Sequence, residues 1–410
     1  MRQKENPAAL LPVAEALERV LAGVEPLPAQ SVPLADALGS VLAEDLAALR
    51  TQPPAAVSAM DGYAVRASDV SHAPVELKVI GEVAAGHPFS SEIGPGQAAR
   101  IFTGGVMPGG SDTVVIQENT TRNGKTVTVR SVTTAGRYVR PEGIDFKKGQ
   151  MLLAKGRRLT DRDLMLAAAM NYPALKVHRA PLVAILGTGD ELVPPGSTPK
   201  PGQIIYSNSY ALAALARREG ALIFELDVAR DSVAELTGKI RRARDADADV
   251  LLVSGGASVG DHDLVQKALT SEGLDLSFWR IAMRPGRPMM HGRLGPMHVL
   301  GVPGNPVSSY VCSFLFLVPL LRRLAGRSDL HPQPLAARLG CDLKENDERA
   351  DYLRATVTTM PDGTLVATPV ENQDSSLMAS LAKADCLLIC EPHSPAAKAG
   401  SACVILKLGL

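Results

Sequence analysis

The residues best suited to chemistry follow a short apolar run in the middle of the chain. Residues 250–253 are all aliphatic, a Ser-Gly-Gly segment at 254–256 follows directly, and the carboxylates Asp261 and Asp263 come shortly after. Glycine lets the backbone approach a ligand closely and turn its N–H groups toward an anion, and carboxylates bind divalent cations. The pattern predicts a site for a nucleotide-like ligand that carries a metal ion. An ordinary strand-to-helix turn is the alternative.

Two further loops of the same kind follow predicted strands. Residues 187–191 (Gly-Thr-Gly-Asp-Glu) come after the aliphatic run 182–186, and residues 303–306 (Pro-Gly-Asn-Pro) come after the run 297–302. Strands that alternate with helices at this spacing predict a doubly wound α/β domain with a mainly parallel sheet. Such sheets bind ligands at the carboxyl ends of their strands. None of the loops matches the glycine patterns of dinucleotide-binding dehydrogenases or P-loop NTPases, so neither class is favoured.

Three arginines lie between the loop that begins at residue 254 and the loop at 303–306. Arg280, Arg284 and Arg287 are interspersed with prolines and a glycine, which oppose a helix. We therefore expect a rigid loop beside the same sheet edge, where guanidinium groups suit phosphate or another oxyanion. The alternative is a solvated basic loop without a ligand.

The composition is that of a globular, multidomain protein. The chain has 410 residues, too many for one hydrophobic core, and 46% of them are hydrophobic. Lys+Arg and Asp+Glu balance at 43 each, so the net charge gives no sign of a nucleic-acid or membrane partner. The five cysteines form no CxxC pair, and the chain starts without an apolar signal segment. The longest apolar run, 311–321, is shorter than the ~20 residues that cross a bilayer. These features predict a soluble, cytoplasmic protein.

The rest of the chain reads as β-rich units and helices around the α/β domain. An amphipathic helix is predicted at 12–24. Helix-forming residues behind a threonine N-cap predict a second helix at 159–170. Short strands separated by Gly, Pro and Asn turns predict a small β domain from about 75 to 145. A second set of strands after residue 328 predicts a small antiparallel barrel.

Two polar segments of the first β-rich unit stand out. Asp61 precedes a glycine at the entry to the predicted strand 63–65, and Thr103 opens the glycine-dense loop 103–110. Loops of this type carry function when a rigid scaffold holds them. For Asp61, a role as a turn-forming residue is the simpler alternative.

Taken with these loops, the chain resembles the bacterial molybdopterin molybdenumtransferase family, which is also known from the C-terminal domain of gephyrin. The resemblance covers essentially all 410 residues. Its motifs are the segments 58–65, 101–108, 187–192, 207–208, 254–261 and 302–308. The motifs of the α/β domain alone also occur in other pterin-binding proteins.

The resemblance implies a homodimer of elongated four-domain subunits. An elongated dimerisation domain is expected at 1–48 and 146–178, with a small β domain inserted at 49–145. The α/β molybdopterin-binding domain is expected at 179–327, and a β-barrel domain at 328–410. Enzymes of this family take adenylylated molybdopterin, release AMP, and insert molybdate between the dithiolene sulfurs with the help of Mg²⁺.

The resemblance also assigns residues. The catalytic set is Asp61, Thr103, Glu191, Asp261 and Arg284, with Glu191 and Asp261 as the metal-binding pair. Asp61 and Thr103 are expected to reach the partner subunit's site. The family's usual lysines are Arg280 and Arg284 here, and arginine cannot take over a proton-transfer role. We expect Arg284, assisted by Arg280, to bind molybdate. The substrate-binding set is Thr188, Gly189, Ser207, Asn208, Asp231, Ser254, Gly255, Gly256, Arg280, Arg287, Pro303, Gly304, Asn305 and Ser375.

The sequence leaves two other functions open. One is a pterin-binding relative that only docks molybdopterin, and the other is a nucleotide-processing hydrolase built on the same α/β domain. The carboxylates Asp61, Glu191 and Asp261 speak against the first, and the segment 58–63 speaks against the second. Expected partners are the two substrates, a second copy of the chain, and transient contacts with the adenylyltransferase and molybdoenzyme chaperones. No nucleic-acid or membrane partner is expected.

Overall fold

The computed structural model describes residues 10–255 and 264–409. Residues 10–178 contain twelve strands and two α-helices. Their bounds are α1 Val13–Leu21, β1 Ala29–Pro33, β2 Leu46–Ala47, β3 Val57–Ser58, β4 Gly62–Val65, β5 Val75–Val83, β6 Gln97–Ile101, β7 Thr113–Ile116, β8 Thr120–Asn123, β9 Thr126–Val129, β10 Val139–Arg140, β11 Met151–Leu153, α2 Asp161–Ala169 and β12 Ala174–His178.

Pairing within this first part brings distant segments together. A six-stranded sheet has the order β7-β4-β6-β5-β9-β8, as expected for a small β domain. Strands that flank this sheet in sequence pair with each other, β1 with β12 and β2 with β11. Helix α2 begins with the predicted cap, because the Thr160 side chain accepts from the Asp163 backbone N–H and the Asp163 carboxylate accepts in return.

The central part contains the α/β sheet. Its elements are β13 Leu182–Thr188, β14 Leu192–Val193, β15 Ile204–Ile205, α3 Asn208–Arg218, β16 Leu222–Ala229, α4 Val233–Asp245, β17 Val250–Ser254, α5 Leu264–Ser271, β18 Asp275–Phe278, β19 Met283–Arg284, β20 Met290–Leu294, β21 Met297–Val302, α6 Pro306–Cys312 and α7 Val318–Leu324. The sheet order is β16-β13-β17-β21-β20-β18. The first four strands are parallel, and the last two pairings, β21 with β20 and β20 with β18, are antiparallel, as predicted for a mainly parallel sheet.

Both faces of this sheet are covered by helices. Along β17, Val250 and Leu252 pack into the core that contains α3, α6 and α7, while Leu251 and Val253 pack into the core that contains α4 and α5. Successive side chains of a strand point to opposite faces. A strand buried on both faces must therefore be continuously apolar, as this one is. The doubly wound arrangement is confirmed.

The longest helical stretch runs from residue 306 to 324 and belongs to this core. It comprises α6, a π-helical turn at Ser313–Leu317 and α7. Among the described residues, this one helix is long and apolar enough to cross a membrane by length and composition, but 83% of its most apolar window is buried inside the protein. It extends beyond the apolar run 311–321, since small and polar residues continue it at both ends.

The C-terminal part is a closed barrel. Its elements are β22 Pro334–Leu339, β23 Ala350–Thr359, β24 Leu365–Pro369, α8 Met378–Lys383, β25 Cys386–Cys390 and β26 Ala402–Lys407. The order β23-β24-β22-β26-β25 closes by the pairing of β25 with β23, and β19 of the central part adds to β23. The predicted barrel is confirmed. Strand β22 and helix α8 are additions that the sequence pattern did not indicate.

Candidate functional site

A cavity of about 800 Å³ lies at the carboxyl ends of the parallel strands. The register aligns Gly187 of β13, Ser254 of β17 and Val302 of β21, so the three predicted loops start side by side. In chain order, the first loop is 187–191, the second begins at 254, and the third is 303–306. This volume is in the range of small-molecule sites. Eleven predicted residues line the cavity: Thr188, Glu191, Ser207, Asn208, Ser254, Gly255, Arg280, Arg287, Pro303, Gly304 and Asn305.

One asparagine joins the loops. The Asn208 side-chain amide, at the start of α3, donates to Ser254 Oγ at 2.9 Å and to the Gly304 carbonyl at 2.8 Å. Ser254 Oγ also lies 3.4 Å from Ser309 Oγ on α6. The Asn208 side chain therefore links Ser254, where the second loop begins, to Gly304 in the third loop. These hydrogen bonds fix the relative positions of the two residues without a ligand.

Two glycines are required by their surroundings. Gly255 has φ +95°, and a Cβ there would lie 2.7 Å from the Thr188 carbonyl oxygen. Gly189 has φ +145°, and a Cβ there would collide with the Glu191 carboxylate. Side chains rarely adopt these φ values. The second loop can therefore approach the backbone of Thr188 this closely only with glycine at 255, while the φ value of Gly189 favours glycine in the first loop.

The cationic side of the cavity comes from two arginines. Arg280 and Arg287 both line it, and in the described part of the chain neither guanidinium has a carboxylate within ion-pair distance. The Arg280 carbonyl accepts from the Leu11 backbone N–H beside the bridge between Leu11 and Ile281, and the Arg287 carbonyl accepts from the backbone of Ile281 and Met289. Their backbone is thus held, and both residues line the cavity.

The third arginine, Arg284, does not lie where the sequence predicted. Arg284 lies on β19 beside the barrel, and its guanidinium binds both oxygens of Asp351 and contacts Asp347 and Asn346. Asp351 is almost completely buried, and its carboxylate raises the pKa of Arg284. The expected position beside Arg280 and Arg287 is wrong, because strand pairing between β19 and β23 turns this side chain toward the barrel.

The barrel reaches the site through the segment before α8. Ser375 Oγ accepts from the Asn305 side-chain amide at 2.8 Å, and its carbonyl accepts from Val307 at 3.0 Å. Ser375 thus holds the third loop and does not line the cavity. Arg354 is fully buried in β23 and donates to the carbonyls of Asn372 and Leu377, so it fixes this segment. Nothing in the sequence pattern distinguishes Arg354 from a surface arginine.

Three predicted residues lie behind the first loop or outside the described chain. The backbone N–H of Asp231, just after β16, donates to Asp190 Oδ1 at 3.2 Å, so Asp231 supports the acidic loop from its side. Gly256 and Asp261 lie outside the described residues. Within the described ranges, no group of three His, Cys, Asp or Glu side chains is placed to hold a metal ion.

Asp61 and Thr103 form a pair on the β domain, away from the cavity lining. The Thr103 backbone N–H and hydroxyl both donate to Asp61 Oδ1 at 2.7 Å. These two hydrogen bonds lower the pKa of Asp61, with the backbone donor as the larger cause. The structure therefore brings these two residues together but does not bring them to Glu191 of the same chain.

The cavity also has an apolar side that the sequence did not indicate. Leu192, Ile204, Ile205 and Tyr206 line it from the segment after the first loop, and Met378 lines it from α8. The Tyr206 ring lies where a side chain at Gly187 would be, and burial raises its pKa to about 12. In a segment rich in proline and glycine, spacing alone does not distinguish aliphatic residues that line a cavity from those that pack a loop against the protein.

Fold and site define a multidomain α/β protein that binds a ligand at the carboxyl edge of its parallel strands, flanked by a β domain and a barrel. Three family models match this chain in order. They are the MoeA N-terminal region (domain I and II) at residues 11–171, the probable molybdopterin binding domain at 184–323, and the MoeA C-terminal region (domain IV) at 336–408. The chain belongs to the molybdopterin molybdenumtransferase (MoeA) family.

Curated relatives and solved structures agree. The molybdopterin molybdenumtransferase of Haemophilus influenzae is 33% identical over 93% of this chain and 94% of its own, and that of Bacillus subtilis is 34% identical over 95% and 91%. Two structures of the molybdopterin biosynthesis MoeA protein of Pyrococcus horikoshii align with a TM-score of 0.83, at 32% and 27% identity. They cover 98% and 97% of this chain and 100% of each of those chains.

Proposed function

We propose that this chain is a transferase of molybdenum cofactor biosynthesis that inserts molybdenum into molybdopterin. Its proposed substrates are adenylylated molybdopterin and molybdate. The observation that carries this proposal is the cavity itself, which places the guanidinium groups of Arg280 and Arg287 in one lining with the glycine loop at Gly255 and the Glu191 carboxylate. Cations, backbone amides and a carboxylate together suit a ligand with phosphates and a second, tetrahedral oxyanion.

The reaction has two parts. Hydrolysis breaks the phosphoanhydride bond between AMP and the molybdopterin phosphate, and water supplies the oxygen and protons that the two separated phosphates gain. Insertion forms two Mo–S bonds, while the two dithiolene thiols give up their protons and one molybdate oxygen leaves as water. Both parts bring several negative charges together, so the protein must position and offset them.

We assign the polar residues accordingly. Ser254, Gly255, Gly304 and Asn305 hold the pterin or the phosphates, with Thr188, Ser207, Asn208 and Pro303 completing the wall. Arg280 and Arg287 hold molybdate and the phosphates. Gly189, Asp231 and Ser375 act by shaping the loops. Arg284, paired with Asp351, is left with a structural role.

A divalent cation fits the donor set. Mg²⁺ is commonly held by one or two carboxylates together with substrate phosphates and water, and the Glu191 carboxylate lines the cavity. We propose that Glu191 and Asp261 hold Mg²⁺, which when bound would offset charge on the departing phosphate. The Glu191 carboxylate occupies space that a side chain at Gly189 would fill.

We also propose a homodimer in which each cavity is completed by the partner subunit. On the β domain Thr103 is exposed and Asp61 is half-buried, and the first part of the chain exposes several large apolar side chains, including Leu49, Ile144 and Met151. Exposed apolar surface of this kind favours association between copies. The division into units at 1–48 with 146–178, 49–145, 179–327 and 328–410 belongs to the same proposal.

The cellular setting is proposed from the same resemblance. All five cysteines are free thiols, which suits the reducing conditions of the cytoplasm. There the protein would receive its substrate from the adenylyltransferase and pass its product to molybdoenzyme chaperones through transient contacts.

The decisive experiment uses the purified full chain with adenylylated molybdopterin. With molybdate and Mg²⁺, we expect release of AMP together with a molybdenum-containing pterin, and no AMP release when Mg²⁺ is chelated. Binding of the pterin without AMP release would instead assign the chain to pterin docking. Release of AMP from simple nucleotide anhydrides at a comparable rate would favour a nucleotide hydrolase.

A further inference from the structure

The cavity has an apolar half that the proposed chemistry does not use. Ile204 and Met378 are 57% and 49% exposed, and both line the cavity. Large apolar side chains that remain open to solvent within a concave polar site mark the place of an apolar part of a ligand. Because this half is continuous with the polar half, the same ligand molecule can occupy both.

The aliphatic side chains stand on a fixed support. Strands β14 and β15 pair in parallel, with Leu192 beside Ile204. The Ile204 N–H donates to the Glu191 carbonyl at 2.8 Å, and the Tyr206 N–H donates to the Val193 carbonyl at 2.8 Å. The apolar surface is therefore joined by backbone hydrogen bonds to the acidic loop, so a ligand held by one is placed relative to the other.

The second wall comes from the barrel. Met378 is the first residue of α8, and its sulfur accepts from Ser207 Oγ at 3.3 Å, at the start of α3. This contact positions the thioether at the cavity. Methionine sulfur and methyl groups make favourable contacts with aromatic rings, and they adapt to the ring's outline.

We propose that Ile204, Ile205 and Met378 bind a planar heteroaromatic ring of the substrate while Arg280 and Arg287 bind its phosphates. This inference rests on the proposed function, whose substrate carries two such rings, the pterin and the adenine. A ring contacts aliphatic and thioether groups through dispersion, and the ligand's own layout of ring next to phosphate matches the apolar half next to the arginines.

The test measures binding by the full chain, without turnover. Anaerobic calorimetry with molybdopterin, with AMP and with inorganic pyrophosphate would compare the wild type with Ile204→Gln and Met378→Gln. We expect each substitution to weaken binding of the ring-bearing ligand about tenfold, as for loss of an apolar contact in a pocket. Pyrophosphate binding should not change. Weaker molybdopterin binding would identify the pterin as the occupant, and weaker AMP binding would identify adenine.

Matched controls remove an exposed apolar side chain elsewhere. Leu222→Gln acts at the opposite end of the same sheet, and Met360→Gln acts in the barrel; the two side chains are 60% and 45% exposed. Neither should affect any ligand. The inference is overturned if ring-ligand affinity is unchanged in both site variants, or if pyrophosphate affinity falls equally. A wild-type protein that binds neither molybdopterin nor AMP would instead overturn the proposed function.

Discussion

At the scale of single residues, what a guanidinium contacts decides its role. Arg284 and Arg287 are three positions apart, yet one is bound to Asp351 and the other lines the cavity. A guanidinium that already binds a carboxylate through two nitrogens cannot bind an oxyanion without losing that pair. The molybdate prediction therefore moves from Arg284 to Arg287, with Arg280 beside it.

Arg287→Ala should raise the molybdate concentration needed for half-maximal insertion about tenfold or more, since a charge-assisted hydrogen bond contributes about 1.5–3 kcal/mol. Arg287→Lys should recover part of this loss by restoring the charge. The measurement is initial AMP release at varied molybdate, with Arg293→Ala on the β20–β21 hairpin as a control. An unchanged molybdate dependence would remove Arg287 from the oxyanion site.

Arg284→Ala should affect stability and leave the molybdate dependence nearly unchanged. Removing the guanidinium leaves the buried Asp351 carboxylate without its main partner. Because Arg284 itself is half exposed, we expect a loss in unfolding free energy of about 1–3 kcal/mol, below that of a fully buried pair. Urea unfolding would measure it. Adding Asp351→Asn to the variant should restore much of the loss, and failure to do so would place the effect elsewhere.

Asp61 should keep its charge to lower pH because of Thr103. The backbone and hydroxyl donors lower the carboxyl pKa, so Thr103→Val, which removes the hydroxyl donor alone, should raise it. If the ionised carboxylate is needed, activity lost on acidification should begin at a higher pH in this variant. A pH–rate profile would show the shift, and Asp61→Asn should lack that acid-side dependence. Coincident profiles for wild type and Thr103→Val would argue against a role for ionised Asp61.

At the scale of elements, the three loops could be predicted from the sequence because their cause is local. A continuously aliphatic run predicts a doubly buried strand, and an abrupt Ser-Gly-Gly or Pro-Gly-Asn predicts its end. Parallel pairing then places the loops at one edge. The strands of the β domain and the N-cap at Thr160 were predictable for the same reason.

The features that could not be predicted depend on contacts between distant elements. Arg284 is turned away by β23, more than sixty positions later. Met378 enters the cavity because the barrel folds back onto α3, and Tyr206 fits because Gly187 leaves room for its ring. Spacing in the sequence carries no information about such packing, whereas it determines strand ends and turns directly.

The β20–β21 hairpin should make the protein sensitive to acid. His291 and His298 are buried, with His291 Nε2 3.3 Å from His298 Nδ1, and burial lowers their pKa values to about 4 and about 3. Unfolded histidine titrates near 6.5, so below that pH the unfolded chain binds protons that the native hairpin does not. Stability present above pH ~6.5 is therefore lost on acidification, by about 2 kcal/mol per histidine at pH ~5.

Urea unfolding at neutral and acidic pH would measure this loss. The double variant His291→Gln/His298→Gln should be less stable at neutral pH, because packing is disturbed, but its stability should depend less on pH. The exposed His331→Gln variant is the control and should keep the wild-type dependence. If the double variant retained the full dependence, other groups would be responsible for it.

At the scale of the whole molecule, the chain separates its polar groups. Asp61 and Thr103 stand on a sheet whose flanking strands return to one another through the β1–β12 and β2–β11 pairs. Glu191 and the arginines stand at the edge of a different sheet. In the symmetric dimer that we propose, the second chain supplies Asp61 and Thr103 to each cavity, so both cavities are completed.

This arrangement makes activity recoverable from two inactive chains. Asp61→Ala and Glu191→Ala should each abolish most activity alone, because every cavity then lacks one group. After co-refolding in equal amounts, half of the dimers should be mixed, and each mixed dimer should have one intact and one doubly defective cavity. About a quarter of wild-type activity should therefore return.

Differently tagged chains, purified by both tags, would isolate the mixed dimer for the assay. Mixed dimers that form but remain inactive would show that each cavity is complete within one subunit, and Asp61 would then have no part in the reaction.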